Sequence, residues 1–113
     1  MSEITEAEWQ AMLITLAQAY GWHHLHVRRS IGKGRKWTTA ANVVGWPDLH
    51  LWNERQRRVM YVELKTDAKG SETTHEQDVV LAQLRNAGQE VYVWRPSDLE
   101  TAKFILSPKG RPT

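Results

Sequence analysis

The sequence predicts an α/β domain in which helices pack against a mixed β-sheet, with the element order α-β-β-β-α-β-α. Segments whose apolar residues recur every three or four positions are interspersed with short segments that alternate apolar and polar residues. The composition is globular, with 41% hydrophobic and 25% charged residues, and 113 residues suffice for one core. No repeat or change in composition divides the chain, so residues 1–113 are predicted to form a single domain with a frayed tail over 107–113.

The first two elements are a helix and a short strand. The helix is predicted over residues 3–20, because apolar residues from Trp9 onward recur at helical spacing and Gly21 is a suitable stop. An alternating segment predicts a strand over 24–28. Residues 30–42 contain two glycines and show no clear period, which predicts a loop.

Two strands joined by a polar turn are predicted next, over 47–53 and 58–65. With the turn centred between residues 55 and 56, Asp48 lies directly opposite Glu63. Period-two alternation then gives one apolar face, made of Leu49, Leu51, Met60, Val62 and Leu64. The other face carries Asp48, His50, Trp52, Val59, Tyr61, Glu63 and Lys65.

The remaining elements are a helix over 74–87, a strand over 91–94 and a short helix that ends near Leu106. Gly88 stands where a glycine commonly terminates a helix. Capping boxes, in which an N-cap hydroxyl and an acid three residues later bind each other's backbone N–H groups, are predicted at Thr73 with Glu76 and at Ser97 with Glu100.

The opposed carboxylates of Asp48 and Glu63 indicate a metal site. Like charges opposed across two strands cost roughly 0.2–1 kcal/mol. A hard divalent cation such as Mg²⁺ reverses that cost, because it binds carboxylate oxygens together with water and substrate phosphate. Lys65 can then reach a phosphate oxygen or the attacking water, an arrangement that suits metal-assisted hydrolysis of a phosphodiester. The alternative is a salt-bridged strand end, in which Lys65 only pairs with the two acids.

The sequence Pro47-Asp48, followed by Glu63-Leu64-Lys65, resembles the PD-(D/E)xK nuclease motif. The wider sequence is similar to the VRR-NUC (virus-type replication-repair nuclease) family of that superfamily, and the likeness covers residues 6–106. The further matching pieces are Gly45-Trp46 before the motif, Tyr61-Val62 and Thr66 around its second half, Gln77, Gly88 and the segment from Val91 to Pro96. The resemblance implies a restriction-endonuclease-like fold, dependence on Mg²⁺ or Mn²⁺, and action on DNA. The stand-alone viral and bacterial members resemble Holliday-junction resolvases.

The resemblance also implies roles for individual residues. Asp48 and Glu63 hold the metal together with the backbone carbonyl of Leu64, Lys65 orients the water, and Gln77 supports the site. An acid of the first helix completes the metal cluster; Glu6 is the best match and Glu8 its rival. The simpler alternatives are an exposed acid that favours the helix dipole and, for Gln77, a hydrogen-bonded buried amide.

The candidate DNA-binding residues precede the hairpin. They are His26, Arg28, Arg29, Lys33, Arg35 and Lys36. A basic cluster of this kind neutralises phosphates and makes binding fall with salt, although a solvated loop has the same composition. His26 resembles a family position near the metal.

We expect a DNA endonuclease that selects branched DNA and acts as a homodimer, because cutting two strands requires two sites. Trp22, Trp37 and Trp46 are the candidate interface residues. The alternatives are a module on the same scaffold that binds branched DNA without cutting it, and an enzyme that cuts RNA. The chain has no cysteine, no signal-peptide pattern and no apolar run long enough for a membrane helix, so we expect a cytoplasmic protein in a bacterial or phage-infected cell.

Overall fold

The computed structural model describes residues 3–27, 30–31, 37–38 and 43–110. The helices are α1 (Glu6–Ala19), α2 (His75–Asn86) and α3 (Leu99–Leu106). The strands are β1 (His23–His26), β2 (Ser30–Ile31), β3 (Trp37–Thr38), β4 (Leu49–Asn53), β5 (Arg58–Leu64) and β6 (Glu90–Trp94). The predicted element order is confirmed, with β2 and β3 in addition.

The main sheet has four strands in the order β1-β4-β5-β6. The β1–β4 and β4–β5 pairs are antiparallel, whereas β5 and β6 are parallel and are connected through α2. The strands β2 and β3 form a separate antiparallel pair, so the prediction of a loop was wrong for those residues. Two residues per strand are too few to produce a visible period.

The predicted register of the central hairpin is confirmed. The pairs run from Asn53 opposite Arg58 to Leu49 opposite Val62, so Asp48 and Glu63 follow as the next opposed residues. The predicted apolar face is buried against the helices. Its core partners from the other elements are Trp9, Leu13, Ala17, Trp22, Trp94, Ala102 and Leu106.

Two tryptophans tie the helices to this core through their indole N–H groups. Trp9 donates to the carbonyl of Trp94 at 3.0 Å, and Trp22 donates to the carbonyl of Leu106 at 2.8 Å. Because Trp22 is buried, its prediction as an exposed interface residue was wrong. None of the helices in the described ranges is both long enough and apolar enough to cross a membrane.

The far end of the hairpin contains a buried charged network around Arg58. Its guanidinium makes two hydrogen bonds to the Glu90 carboxylate, at 2.7 and 3.0 Å, and one to Gln56 at 2.7 Å, and it lies over the Trp22 ring. The guanidinium is therefore a core group that closes the end of the sheet, and not a solubilising charge of the turn.

The helix ends differ from the prediction by small shifts. The cap of α2 is Thr74 with Gln77, one residue later than predicted. Before α3, Asp98 accepts the backbone N–H of Arg95, in place of the predicted cap by Ser97 and Glu100. Gly88 ends α2 with a positive φ of 87°, as predicted. In the predicted frayed tail, residues 108–110 form a 3₁₀ turn, and 111–113 lie outside the described ranges.

Candidate active site

Asp48 lies at the entry to β4, held between two strands. Its carboxylate oxygen Oδ2 accepts the backbone N–H of Leu64 on β5 at 3.0 Å. Its carbonyl accepts the backbone N–H of Val27 at 2.8 Å. These two bonds hold Asp48 next to the segment that contains Glu63 and Lys65. The two halves of the motif, Pro-Asp and Glu-Leu-Lys, are therefore adjacent in the structure.

Glu63 is a buried carboxylate, with only 2% of the residue exposed. Its Oε2 accepts a hydrogen bond from Gln77 Nε2 at 3.0 Å and lies 3.6 Å from Lys65 Nζ. A buried carboxylate needs such donors, because burial in a low dielectric medium disfavours an unsupported charge. The period-two spacing of Glu63 and Lys65 brings both side chains to one face, while Leu64 enters the core.

Gln77 is oriented by the cap of its own helix. Its side-chain Oε1 accepts the backbone N–H of Thr74 at 2.9 Å, and its backbone N–H donates to Thr74 Oγ1 at 3.1 Å. With the amide oxygen bound to the cap, the amide NH₂ is left to face Glu63. The capping box of α2 therefore sets the direction of a donor in the candidate site.

Gly45 allows the Pro-Asp segment to approach this helix. Its φ is +92°, and a Cβ at this position would lie 2.6 Å from the Glu76 carbonyl and 2.7 Å from the Gln77 nitrogen. Only glycine has no side chain to clash there and favours this φ. The glycine before Trp46-Pro47-Asp48 thus places the turn directly against the first turn of α2.

The two acids of α1 have different surroundings. Glu8 forms the capping box with Thr5, through bonds of 3.0 and 3.1 Å, and the hydrogen bond from the Thr5 backbone N–H to the Glu8 carboxylate lowers the pKa of that carboxyl. Glu6 is the exposed first residue of the helix. In the parts of the chain that the structure describes, no three His, Asp or Glu side chains lie close enough together to hold a metal ion. Glu6 therefore does not form a three-acid metal cluster with Asp48 and Glu63 in the described structure.

His26 lies on the other face of the sheet. It is paired with Leu49, whose side chain is in the core, so its ring is on the α1 side, and its Nδ1 is 3.4 Å from Gln10 Nε2. The basic residues predicted to bind DNA, Arg28, Arg29, Lys33, Arg35 and Lys36, lie outside the described residues.

An aromatic cluster beside the two acids was missed by the sequence analysis. The ring centroids of His50 and Tyr61 are 4.8 Å apart, and Trp46 contacts both rings and donates its indole N–H to His50 Nε2. Burial lowers the pKa of His50, which favours the neutral ring that can accept this bond. The period-two pattern does place His50 and Tyr61 on the face of Asp48 and Glu63, but no sequence signal indicates the position of Trp46.

The donor set fits a hard cation. Two carboxylates and a backbone carbonyl, all oxygen donors, occur in sequence at Asp48, Glu63 and Leu64, and the described residues offer no cysteine sulfur. Mg²⁺ and Mn²⁺ favour such ligands, and Mg²⁺ commonly uses one or two carboxylates and retains several waters. A site with two carboxylates is therefore compatible with Mg²⁺ without a third acid.

A mixed four-stranded sheet with this hairpin and three helices is consistent with a PD-(D/E)xK-like nuclease fold. The family model of the VRR-NUC domain matches residues 3–98. Since this match covers most of the chain, the protein belongs to the VRR-NUC family and is a nuclease-type domain. A search of curated proteins finds no match.

Proposed function

We propose that this protein is a Mg²⁺-dependent DNA endonuclease that hydrolyses phosphodiester bonds, and that Mn²⁺ can substitute. The observation that carries the proposal is the contact of Glu63 with both Lys65 and Gln77, next to Asp48, in a member of a nuclease family. A salt-bridged strand end would need only Lys65. An oriented amide donor on the same buried carboxylate favours a functional site.

In this proposal Asp48, Glu63 and the Leu64 carbonyl would hold the ion. Glu6, which does not form one cluster with the two acids in the described structure, would complete the site through water. A bound Mg²⁺ supplies Lewis acidity toward the phosphoryl oxygens and lowers the pKa of a coordinated water. Lys65 orients the attacking water and stabilises the negative charge that develops on the phosphoryl group. Gln77 keeps the Glu63 carboxylate in one orientation at the proposed metal site.

The proposed substrate is branched DNA of the Holliday-junction type, cut by a homodimer. One small domain offers one site, whereas resolving a four-way junction requires two cuts, most simply from a twofold dimer. A fixed distance between two sites selects substrate geometry more than sequence. The basic residues from Arg28 to Lys36 and His26 are the proposed phosphate contacts, and a dimer would carry this set twice.

The candidate dimer surface is the part of the sheet face that lies nearer the hairpin turn than Asp48 and Glu63, and it carries Leu25, Trp52 and Val59. These side chains are 51%, 40% and 46% exposed, and the sheet register brings them together on neighbouring strands. Trp52 stacks on His23 with ring centroids 5.5 Å apart. Trp22 is buried and Trp46 is packed on His50, so this surface replaces them in the proposed interface, to be covered by the same surface of a second copy. The side chain of Trp37 lies outside the described part of the chain, and Trp37 stays a candidate.

The test is a cleavage assay with Mg²⁺ on supercoiled plasmid, a synthetic four-way junction, a linear duplex of the same sequence, and RNA. The proposal expects cleavage of DNA, faster for the junction than for the duplex. Junction binding without any cleavage would favour the alternative of a non-cutting branched-DNA-binding module. Cleavage of the RNA alone would reject DNA as the substrate, and equal single-turnover rates on junction and duplex would reject the structure preference.

A further inference from the structure

The loop that connects β5 to α2 joins the two groups that contact Glu63. It begins at Lys65, whose Nζ lies 3.6 Å from the Glu63 carboxylate, and it leads to the helix of Gln77, whose amide donates to the same carboxylate at 3.0 Å. The conformation of this loop therefore affects both partners of the buried acid.

A single side chain from the neighbouring strand end closes this loop. Arg95 Nη1 donates to the carbonyl of Thr66 at 2.5 Å and to the carbonyl of Ser71 at 2.6 Å. Its backbone N–H donates to Asp98 Oδ2 at 2.8 Å, which holds the start of the side chain in place. The loop adds one bond of its own, from the Thr66 backbone N–H to Ser71 Oγ at 3.0 Å.

Two consecutive residues, the last of β6 and the one that follows it, thus hold the backbone around Lys65. The Lys65 N–H donates to the Trp94 carbonyl at 3.1 Å, which extends the parallel ladder by one bond. The next residue, Thr66, has its carbonyl bound by Arg95. The backbone is therefore held on both sides of the Lys65 Cα, at the Lys65 N–H before it and at the Thr66 carbonyl after it.

We infer that Arg95 is a positioning residue for Lys65, acting through the carbonyls of Thr66 and Ser71. This inference rests on the proposed function, in which Lys65 must lie near the reacting phosphoryl group. The planar guanidinium has several N–H donors in fixed directions and can bridge two carbonyls, whereas an ammonium on a flexible stem holds such a geometry less well. A small displacement of a catalytic group lowers the rate much more than it lowers binding.

The same loop offers a matched control. Asp67 accepts the Ser97 backbone N–H at 3.0 Å and the Ser97 hydroxyl at 2.6 Å. This second attachment also joins the loop to the segment after β6, but it is exposed and does not involve the Lys65 or Thr66 peptide groups. Ser97→Ala weakens the attachment of the loop without removing the bond next to Lys65.

The experiment compares wild type, Arg95→Met, Arg95→Lys and Ser97→Ala in two measurements. The first is kcat and KM on a synthetic four-way junction with Mg²⁺. The second is hydrogen exchange of the Lys65 and Thr66 backbone amides without DNA. Arg95→Met is expected to lower kcat by roughly ten- to a hundredfold with an unchanged KM. It is also expected to speed exchange at both amides. Arg95→Lys should be intermediate, and Ser97→Ala should resemble wild type in both measurements.

The inference is overturned if folded Arg95→Met keeps wild-type amide exchange, whatever its activity. It is also overturned if Ser97→Ala loses as much kcat as Arg95→Met, because the loop would then need only general attachment. If Arg95→Met does not fold, wild-type kcat and exchange in Arg95→Lys would reject the role. A wild-type protein that cuts no substrate rejects the proposed function instead, and the exchange measurement then decides the positioning role alone.

Discussion

At the residue scale, the site combines an acid tied to the backbone with a buried acid held by side chains. Asp48 binds the Leu64 N–H, whereas Glu63 binds Gln77 and Lys65. Asp48→Asn, Glu63→Gln and Lys65→Ala are each expected to abolish cleavage and to leave metal-free DNA binding intact, because each removes a group needed with the ion or in the transition state. Cleavage gels and binding titrations measure the two effects.

The control for these substitutions is Glu54→Gln. Glu54 is an acid of the same hairpin, but it lies at the turn and pairs with His23 at 2.8 Å. The Glu54→Gln variant should cut DNA at the wild-type rate. Wild-type activity in Asp48→Asn would remove that residue from the site, and loss of activity in Glu54→Gln would show that any charge change in the hairpin is harmful.

Gln77 caps α2 with its amide oxygen and donates to Glu63 with its amide nitrogen, and one pair of substitutions can separate these two roles. A glutamate at this position can still cap α2, since glutamate and glutamine both serve there, but in its ionised form it cannot donate a hydrogen bond to Glu63 and repels that carboxylate. Gln77→Glu is therefore expected to keep the helix and lose most cleavage, whereas Gln77→Ala should lose both cleavage and the reciprocal half of the capping box, with a lower free energy of unfolding. Circular dichroism, urea unfolding and cleavage rates test this. Full cleavage by Gln77→Glu would reduce Gln77 to a helix cap.

At the element scale, the Gly45 turn, which leads to Asp48, lies directly against the first turn of α2, which carries Gln77. Gly45→Ala is expected to lower the free energy of unfolding by more than the roughly 1–2 kcal/mol that a left-handed conformation costs, because the new Cβ also meets backbone atoms of α2. Gly70→Ala is the control, since Gly70 has a similar φ of 89° but no atom within 4 Å of a new Cβ. Urea unfolding measures both. Equal losses in the two variants would mean that the close contact has no energetic effect.

The elements themselves could be predicted from the sequence because their periods are long and regular. The hairpin register followed from alternation over two strands, and it placed Asp48 opposite Glu63. The cap of α2 was misplaced by one residue because Thr73-Thr74 and Glu76-Gln77 fit the capping pattern in either register. Gln77 lies on the buried side of α2 with Val80 and Leu81, which its three- and four-residue spacing from them favours.

Other features depend on packing between distant residues and have no local signature. Arg58 falls on the apolar face by alternation, but its burial depends on Glu90, which is 32 residues away in the sequence. The contacts of Arg95 with Thr66 and Ser71 bring together residues from separate strand ends in the same way. Trp22 was expected at the surface because its partner, the Leu106 carbonyl, lies near the other end of the chain.

At the scale of the whole molecule, metal binding should stabilise the fold. Mg²⁺ that binds only the folded state raises the melting temperature by mass action, and the repulsion between Asp48 and Glu63 is relieved at the same time. We expect a smaller rise in Asp48→Asn than in wild type, and the wild-type rise in Glu54→Gln. Differential scanning calorimetry with increasing Mg²⁺ gives the comparison. The same rise in wild type and Asp48→Asn would show that this acid does not bind the ion.

The dimer prediction also belongs to this scale. Light scattering should give the mass of two chains for wild type and of one chain for Trp52→Glu, because the substitution places a charge in the proposed apolar interface. Phe104→Glu is the matched control, since Phe104 is also exposed but lies on α3. A wild-type monomer with and without DNA would reject the dimer, and a dimeric Trp52→Glu protein would reject this surface as the interface.

We propose above all that the carboxylates of Asp48 and Glu63 support Mg²⁺-dependent cleavage of DNA. The most direct measurement is the single-turnover cleavage rate of a synthetic four-way junction over a series of Mg²⁺ concentrations, for wild type, Asp48→Asn and Glu54→Gln, with EDTA as the blank. We predict that wild type and Glu54→Gln show the same saturable dependence on Mg²⁺ and no cleavage in EDTA, and that Asp48→Asn shows no cleavage at any concentration. Cleavage by wild type in EDTA, or an unchanged Mg²⁺ dependence in Asp48→Asn, would show that these carboxylates do not support metal-dependent cleavage.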